Sequence, residues 1–276
     1  MLKSNKAAFV LKYAVLIITA FVTLYPLLWV LLNSFKTNTE LFTSPWGIPG
    51  EWHPENYKNA WTTASINVYF FNSVIVSVTS LFFSILLSTT VSFAITRLKF
   101  KLSTAVFLVF TVGMMIPVHA TLIPIFLMFS RIRLTNSLYS LIIPYTAFSL
   151  PIAVMIFTGF FKTFPRELEE AAVIDGSTIK GMFLRITLPM CKPCIATVAI
   201  YNFLGMWNEL NYALVLIRSR SKMTLPIGMT GFKGQFTTDF TGIFAAVIIT
   251  IIPTIMIYIM FNKQIIEGMT IGALKG

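Results

Sequence analysis

K-T-F-P-R-E-L-E-E-A-A-V-I-D-G-S-T-I-K-G-M-F-L-R-I-T-L-P, residues 162–189, is an island of charged and small residues between long apolar runs, and its reading decides the fold. It reads as two short helices around a glycine. Pro165 suits a first helical position, and Glu167, Glu169 and Glu170 fall in the opening turns, where carboxylates complement the positive end of the helix dipole. Gly176 then ends the first helix at a position that tolerates a left-handed backbone. Ser177 suits the cap of a second helix, on which Ile179, Met182, Phe183 and Ile186 recur at i, i+3, i+4 and i+7 as one apolar face until Pro189 stops it.

Outward from this island the chain is mostly apolar. It is 56% hydrophobic and 11% charged, with 26 phenylalanines, 13 methionines and a mean hydropathy of +0.80. Soluble domains are roughly a quarter charged, so the surplus of apolar side chains has to face lipid. A hydrocarbon core about 30 Å thick takes about 20 helical residues, and six runs meet that length, at 8–33, 68–96, 104–130, 138–161, 195–217 and 241–261. The expected fold is an all-α membrane protein of six transmembrane helices. The first run is too long for a signal-peptide core and no small-residue cleavage site follows it. Prolines 26, 117, 144, 151 and 253 lie within or at the ends of runs, where kinks suit a cavity.

An even number of spans puts both termini on one side. With the N-terminus inside, inner segments hold 13 basic residues against 8 outside, although Arg131, Arg133, Arg218, Arg220 and Lys222 lie on the outer side. The positive-inside preference therefore predicts cytoplasmic N- and C-termini. Residues 1–7 and a tail at 262–276 are then cytoplasmic, as is the loop 162–192, while loops 34–67 and 218–240 are outside. The first outer loop, rich in Trp and Pro, is expected to be compact and interfacial. On a loop outside the bilayer, the apolar face at Ile179 needs either lipid headgroups or a partner's groove, and the residues leave both open.

The net charge of +11 comes from short inter-span loops rather than a basic helical face with interleaved aromatics, which argues against nucleic acid. Cys191 and Cys194 form a C-K-P-C run without a second Cys or His pair, and read as two reduced thiols. His53 and His119 are isolated; His53 is expected to be solvated or capping. No phosphate-binding G-x4-G-K-[ST] run occurs, because 176–181 lacks its first glycine and terminal hydroxyl. With no Ser-His-Asp set, paired carboxylates or metal cluster, no enzymatic role is expected of the chain alone.

Glu170-Ala171-Ala172, then Gly176, then Ile186, Leu188 and Pro189 reproduce E-A-A-x3-G-x9-I-x-L-P, and so resemble the EAA motif of ABC importer permeases without departure. The preceding P-x-E-L-E and the Ile174-Asp175-Gly176 step resemble the carbohydrate branch. The terminus G-M-T-I-G-A-L-K-G, residues 268–276, is similar to the G-L-T-x-G-A-V-K-G of MalG-like sugar permeases, with Met269 for Leu and Leu274 for Val. The W-N-x-x-x-x-A-L run at 207–214 extends the likeness over most of the chain. The resemblance implies a type I ABC importer transmembrane domain in the bacterial plasma membrane. It implies a second homologous permease in a heterodimer, two ATPase subunits that bind ATP and Mg, and an extracytoplasmic solute-binding protein facing the basic loop at Arg218, which could equally order against anionic lipid. The chain itself holds no cofactor. The first loop helix becomes the coupling helix, with Ala171 and Ala172 as a small docking face, Glu170 pairing with the ATPase and Gly176 providing the turn. Gly272, Ala273, Lys275 and Gly276 would enter a gap between the ATPase subunits.

Polar residues inside spans default to functional hypotheses. Asn202, Trp207, Asn208, Glu209, Asn211 and Tyr212 in the fifth run suit a sugar, whose hydroxyls need donors and acceptors and whose C–H faces stack on rings. Asn208 and Asn211 serve equally as amide glue between helices. His119 in the third run either fills a kink or contacts ligand. An ion-coupled secondary transporter is the main alternative. It calls for inverted repeats, broken helices and several intramembrane acids, and no repeat pair is visible while Glu209 is a lone acid. A permease for a polyol or glycerol phosphate is the other, and a scaffold subunit would leave the EAA motif unexplained.

Overall fold

The computed structural model describes residues 6–98, 100–165, 167–232 and 239–273. Among these every element is helical: α1 (Lys6–Asn33), α2 (Asn38–Thr43), α3 (Glu55–Thr62), α4 (Ile66–Arg97), α5 (Ser103–Gly113), α6 (Leu122–Arg131), α7 (Tyr139–Phe161), α8 (Glu167–Ile174), α9 (Ile179–Met182), α10 (Leu188–Met190), α11 (Lys192–Trp207), α12 (Asn211–Leu216), α13 (Leu225–Met229) and α14 (Phe240–Ala273). Four helices are long and apolar enough to cross a membrane, or up to six if two bent pairs each count as one span. The chain divides into two compact units, residues 1–67 with 229–252 and residues 68–228 with 253–276.

In the first unit α1 is apolar all round and exposed, with Ile17 at 67% and Phe21 at 66% of full exposure, as expected of a helix bathed in lipid. The segment after it is compact, as its Trp and Pro content predicts. Lys36 is fully buried and donates to the Ser44 carbonyl at 2.7 Å, and Asn56 Nδ2 donates to the carbonyls of Ser34 and Lys36 at 2.9 and 2.8 Å. The Trp29 indole donates to the Pro45 carbonyl at 2.8 Å. Thr37 caps α2 by accepting the Glu40 N–H at 3.1 Å, and His53 sits before α3 with Nδ1 3.8 Å from Glu55. Tyr57, against Ser34 at 2.6 Å, has its phenol pKa raised by burial, with the Ser34 hydrogen bond opposing.

The second unit is organised by α4, which is inside-out relative to a soluble helix. Ser73, Ser77, Ser80, Ser84, Ser88 and Ser92 are buried, whereas Phe71, Val78, Phe82 and Leu86 are exposed. Without a hydrophobic drive between helices in lipid, small side chains permit close backbone approach and hydroxyls bridge the gap. Ser80 and Ser92 accordingly donate to the Ile142 and Val154 carbonyls of α7 at 3.3 and 3.1 Å. Cys191 and Cys194 are free thiols buried against Phe93, Phe157 and Phe161.

Two expected spans are not continuous helices. The third breaks after Gly113, and α5 lies at 92° to residues Val118–Arg131. Pro117 has no N–H to donate and stands in the extended region, at φ −65° and ψ 115°, so the helix cannot run through it. A 3-10 turn, Val118–Thr121, restarts the path into α6. The fifth stops at Trp207 and resumes as the short α12, and residues Ile179–Met190 meet α11 at 72°.

Candidate functional site

The island 162–189 folds as two helical pieces around a left-handed glycine, Gly176, at φ +77°. Three local expectations shift. Pro165 lies outside α8, which is described from Glu167; Thr178, not Ser177, caps α9, accepting the Gly181 N–H at 3.1 Å; and the path continues through Pro189, via a π-helical turn over Phe183–Thr187, to end at Met190. The apolar face of the second piece is mostly covered by its own chain, with Ile179 left 59% exposed. Met182 is buried, and Phe183 packs on Phe93 with ring centroids 5.0 Å apart.

The most exposed apolar side chains of the island lie on α8. Ile174 is 85% and Val173 60% exposed, and Glu170, Ala171 and Asp175 are open to the surroundings. Ala172 turns inward, so its small size lets α8 approach its own chain. Next to it Glu169 is buried and paired with Arg97 at 2.8 Å. Arg97 and Glu169, with Thr96, Glu170, Val173, Ile174 and Met182, line a cleft of about 420 Å³. Ile186, Leu188 and Pro189 lie on the second piece. Gly272 and Ala273 end α14, and Lys275 and Gly276 lie outside the described residues.

A larger open cavity, about 690 Å³, is formed where both broken elements face α7. Non-helical backbone at membrane depth is tolerated where it lines a water-filled space, and residues of both breaks do so: Met114 and Ile116 from one, Glu209 from the other. Pro144 and Pro151 of α7 also line it, as their positions suggested. Gly113 permits the packing of α5 on α7, since a Cβ there would meet Pro151 at 3.2 Å.

Glu209 is the central polar group. One carboxylate oxygen accepts the Tyr212 N–H at 2.9 Å, and the other accepts the Tyr145 hydroxyl at 2.6 Å and the Ala213 N–H at 3.4 Å. It thereby supplies negative charge to the first turn of α12, whose N–H groups have no helical partners. The Tyr212 hydroxyl reaches Thr121 and the Val118 carbonyl, tying the fifth element's break to the third's. Asn202 donates to Ser84 at 3.1 Å, and Ser149 donates to the same oxygen at 2.7 Å, so one serine joins α4, α7 and α11.

Of the expected path residues, Asn202, Glu209 and Tyr212 line the cavity. Trp207 does not: it is 1% exposed, stacked on Phe203 at 5.4 Å with Phe70 edge-on at 5.9 Å. Asn208 is exposed and bonds its own helix at the Leu204 carbonyl, Asn211 is exposed, and His119 sits exposed on the 3-10 turn, all three outside the lining. Sequence reading missed Tyr145, Phe148, Ser149 and Tyr201, whose rings and hydroxyls complete the wall. Their available signal was the Pro144 and Pro151 pair bracketing Tyr145, Phe148 and Ser149. No lysine or arginine lines the cavity among the described residues.

The family model for the binding-protein-dependent transport system inner membrane component matches residues 85–269. The chain is 34% identical to the diacetylchitobiose uptake system permease protein NgcG of Streptomyces coelicolor, over 99% of this chain and 91% of that protein. It is 34% identical to the arabinooligosaccharides transport system permease protein AraQ of Halalkalibacterium halodurans, over 93% of each. It is 31% identical to the multiple sugar-binding transport system permease protein MsmG of Streptococcus mutans, over the full length of both. In fold it is similar to a chain of a bacterial ABC transporter that imports the acidic polysaccharide alginate, with a TM-score of 0.83 at 18% identity, covering 95% of this chain and 98% of that one.

Proposed function

Because this chain belongs to the family of binding-protein-dependent transport system inner membrane components, we propose that it carries a neutral sugar or oligosaccharide across the membrane through the cavity at Glu209. It is a multi-pass inner-membrane permease of an ABC importer and not an enzyme. The observation that carries the sugar reading is the cavity wall. Phe148, Tyr201 and Tyr212 offer ring faces for sugar C–H surfaces, while Asn202, Ser149 and Glu209 supply amide, hydroxyl and carboxylate groups for its hydroxyls. The saccharide names of the relatives agree with that chemistry.

In this reading six spans, counting each bent pair as one, leave both termini and 162–192 in the cytoplasm, in keeping with the basic-residue excess there. The exposed face of α8 docks a separately encoded ATPase, as an apolar helix face docks in a groove. Glu170 anchors the contact, Ala171 allows close approach, and Gly176 sets the exit angle. Two such ATPases bind ATP and Mg, and their closure draws this chain and a second homologous permease towards the outward-open state. A solute-binding protein delivers the sugar near the exposed Arg218 and Arg220. The tail at 272–276 reaches between the ATPases. Broken helices also occur in ion-coupled carriers, but family membership and the single acid of the cavity speak against that alternative.

The test is purification with and without the ATPase subunits, with uptake measured in proteoliposomes. The expected result is co-purification of an ATPase and uptake of a neutral saccharide that stops when ATP is depleted. Uptake that survives ATP depletion, with no attached ATPase, would overturn the proposal.

A further inference from the structure

The feature that neither the family description nor the motif explains is the buried pair beneath α8. Arg97 is in the last turn of α4, Glu169 in the first turn of α8, and Phe161 is the last residue of α7. The Arg97 guanidinium donates from Nε to Glu169 at 2.8 Å and from Nη2 to the Phe161 carbonyl at 2.9 Å. The two charged side chains keep 6% and 12% of their exposure. One planar cation thus meets two helix C-termini, where carbonyls lack helical partners, and joins them to an anion at a helix N-terminus. All three placements are electrostatically matched.

What else holds α8 sideways is slight. Its buried residues are Glu169 and Ala172; Leu168 is half exposed, and Val173 and Ile174, at 60% and 85% exposure, stand at the open rim of the cleft. Ala172 contributes a single methyl group, and the connection to α9 passes through Gly176, whose Cβ position is empty for 4 Å around. The ion pair thus links this helix to the ends of α4 and of α7, the helix on which the cavity residues Tyr145 and Ser149 stand.

We propose that Arg97 is a positioning residue that carries motion of α8 to the joined ends of α4 and α7. The inference rests on the reading of α8 as the ATPase-docking helix. Glu170, next in sequence, is exposed at the rim of the cleft, while Glu169 is buried in the clamp, so the adjacent acids divide between receiving the force and passing it on. The clamp needs a guanidinium. A lysine ammonium is a point charge that can neutralise Glu169 but does not hold the carboxylate and the Phe161 carbonyl in one rigid fork.

The experiment uses the whole complex, with partner permease, ATPases and binding protein, in proteoliposomes, and reads ATPase attachment, ATP hydrolysis and sugar uptake separately. For Arg97→Lys the expected result is normal attachment and continued hydrolysis, with uptake per ATP lowered by about 10-fold, the size of a typical coupling between sites. The exchange of Arg97→Glu with Glu169→Arg restores the pair's charges but sets an anion against the Phe161 carbonyl, so coupling stays lost. Wild-type coupling in Arg97→Lys, or recovery in the exchanged pair, overturns the clamp. Should Arg97→Lys fail to assemble, Glu169→Gln, which keeps size and an acceptor oxygen, takes its place, and unchanged uptake per ATP in that variant has the same force. Ala171→Trp on the outer face is the separate control. If it leaves attachment intact, the docking reading fails; if it blocks attachment while Arg97→Lys stays coupled, only the clamp fails.

Discussion

At the residue scale, the sharpest constraint is Gly176. Its φ of +77° is left-handed, yet nothing lies within 4 Å of where a Cβ would stand, so a substitution there costs backbone conformation and not space. Gly176→Val should insert normally but weaken ATPase attachment and abolish uptake, with a conformational cost of about 1–2 kcal/mol. Gly159→Ala, in helix α7 with equally open space, serves as the control and should transport normally. Co-purification and uptake from the same membranes check both. A second prediction concerns Tyr145→Phe, which deletes one donor to the Glu209 carboxylate. Hydrogen bonds to charged groups are worth about 1.5–3 kcal/mol, and a loss of that order should appear as a lower melting temperature of the purified complex. The same variant with unchanged melting would show that the hydroxyl is not needed to hold α12.

At the scale of elements, α4 and α7 meet through hydroxyls, and Ser84 joins both to α11. Ser84→Ala should cost about 0.6 kcal/mol, the average for hydrogen bonds between membrane helices, and at most about 1.7 kcal/mol, whereas Ser84→Leu should overpack the contact by about 1–3 kcal/mol. Thermal unfolding of the two variants in one detergent ranks them, and equal melting would contradict a close α4–α7 contact. Gly228 makes the parallel case in α13, because a Cβ there would overlap the Tyr69 ring. The sequence made α1, α4, α7 and the first part of α14 legible, since each holds an apolar run of sufficient length, while the helix of α14 continues past its run at 241–261 to Ala273. It did not make the breaks at 114–117 and 208–210 legible. Pro117 is visible, but proline inside a run is compatible with either a kink or an interruption, and the outcome depends on whether neighbours supply the lost backbone bonds. Asn208 and Glu209 read as ligands because their apolar surroundings hid a helix end, and the Tyr145 partner lies 64 positions away. The motif Glu170–Pro189 gave α8 and its turn. It could not tell that Ala172 faces inward, because a small residue suits close approach on either side.

At the scale of the molecule, the second unit carries two polar recesses, the cleft by Arg97 and Glu169 and the cavity by Glu209. In each unit large apolar side chains are exposed, Ile17 of α1 in the first and Phe82 of α4 and Ile259 of α14 in the second. This separation accounts for how few residues carry the chemistry in a chain that is 11% charged.

The two interrupted elements bear on how such a chain enters the membrane during synthesis. At 11 residues, α5 extends about 16 Å, roughly half a hydrocarbon core, and the Asn208–Glu209 break sets a charge near the end of α11. An insertion channel that sorts segments by hydropathy would commit α1, α4, α7 and α14 individually, each on its own merits. The bent segments have no such independence. They are tied to each other, by the Tyr212 hydroxyl on Thr121 and on the Val118 carbonyl, residues 91 and 94 positions apart, so their settled arrangement has to wait until the ribosome has delivered both.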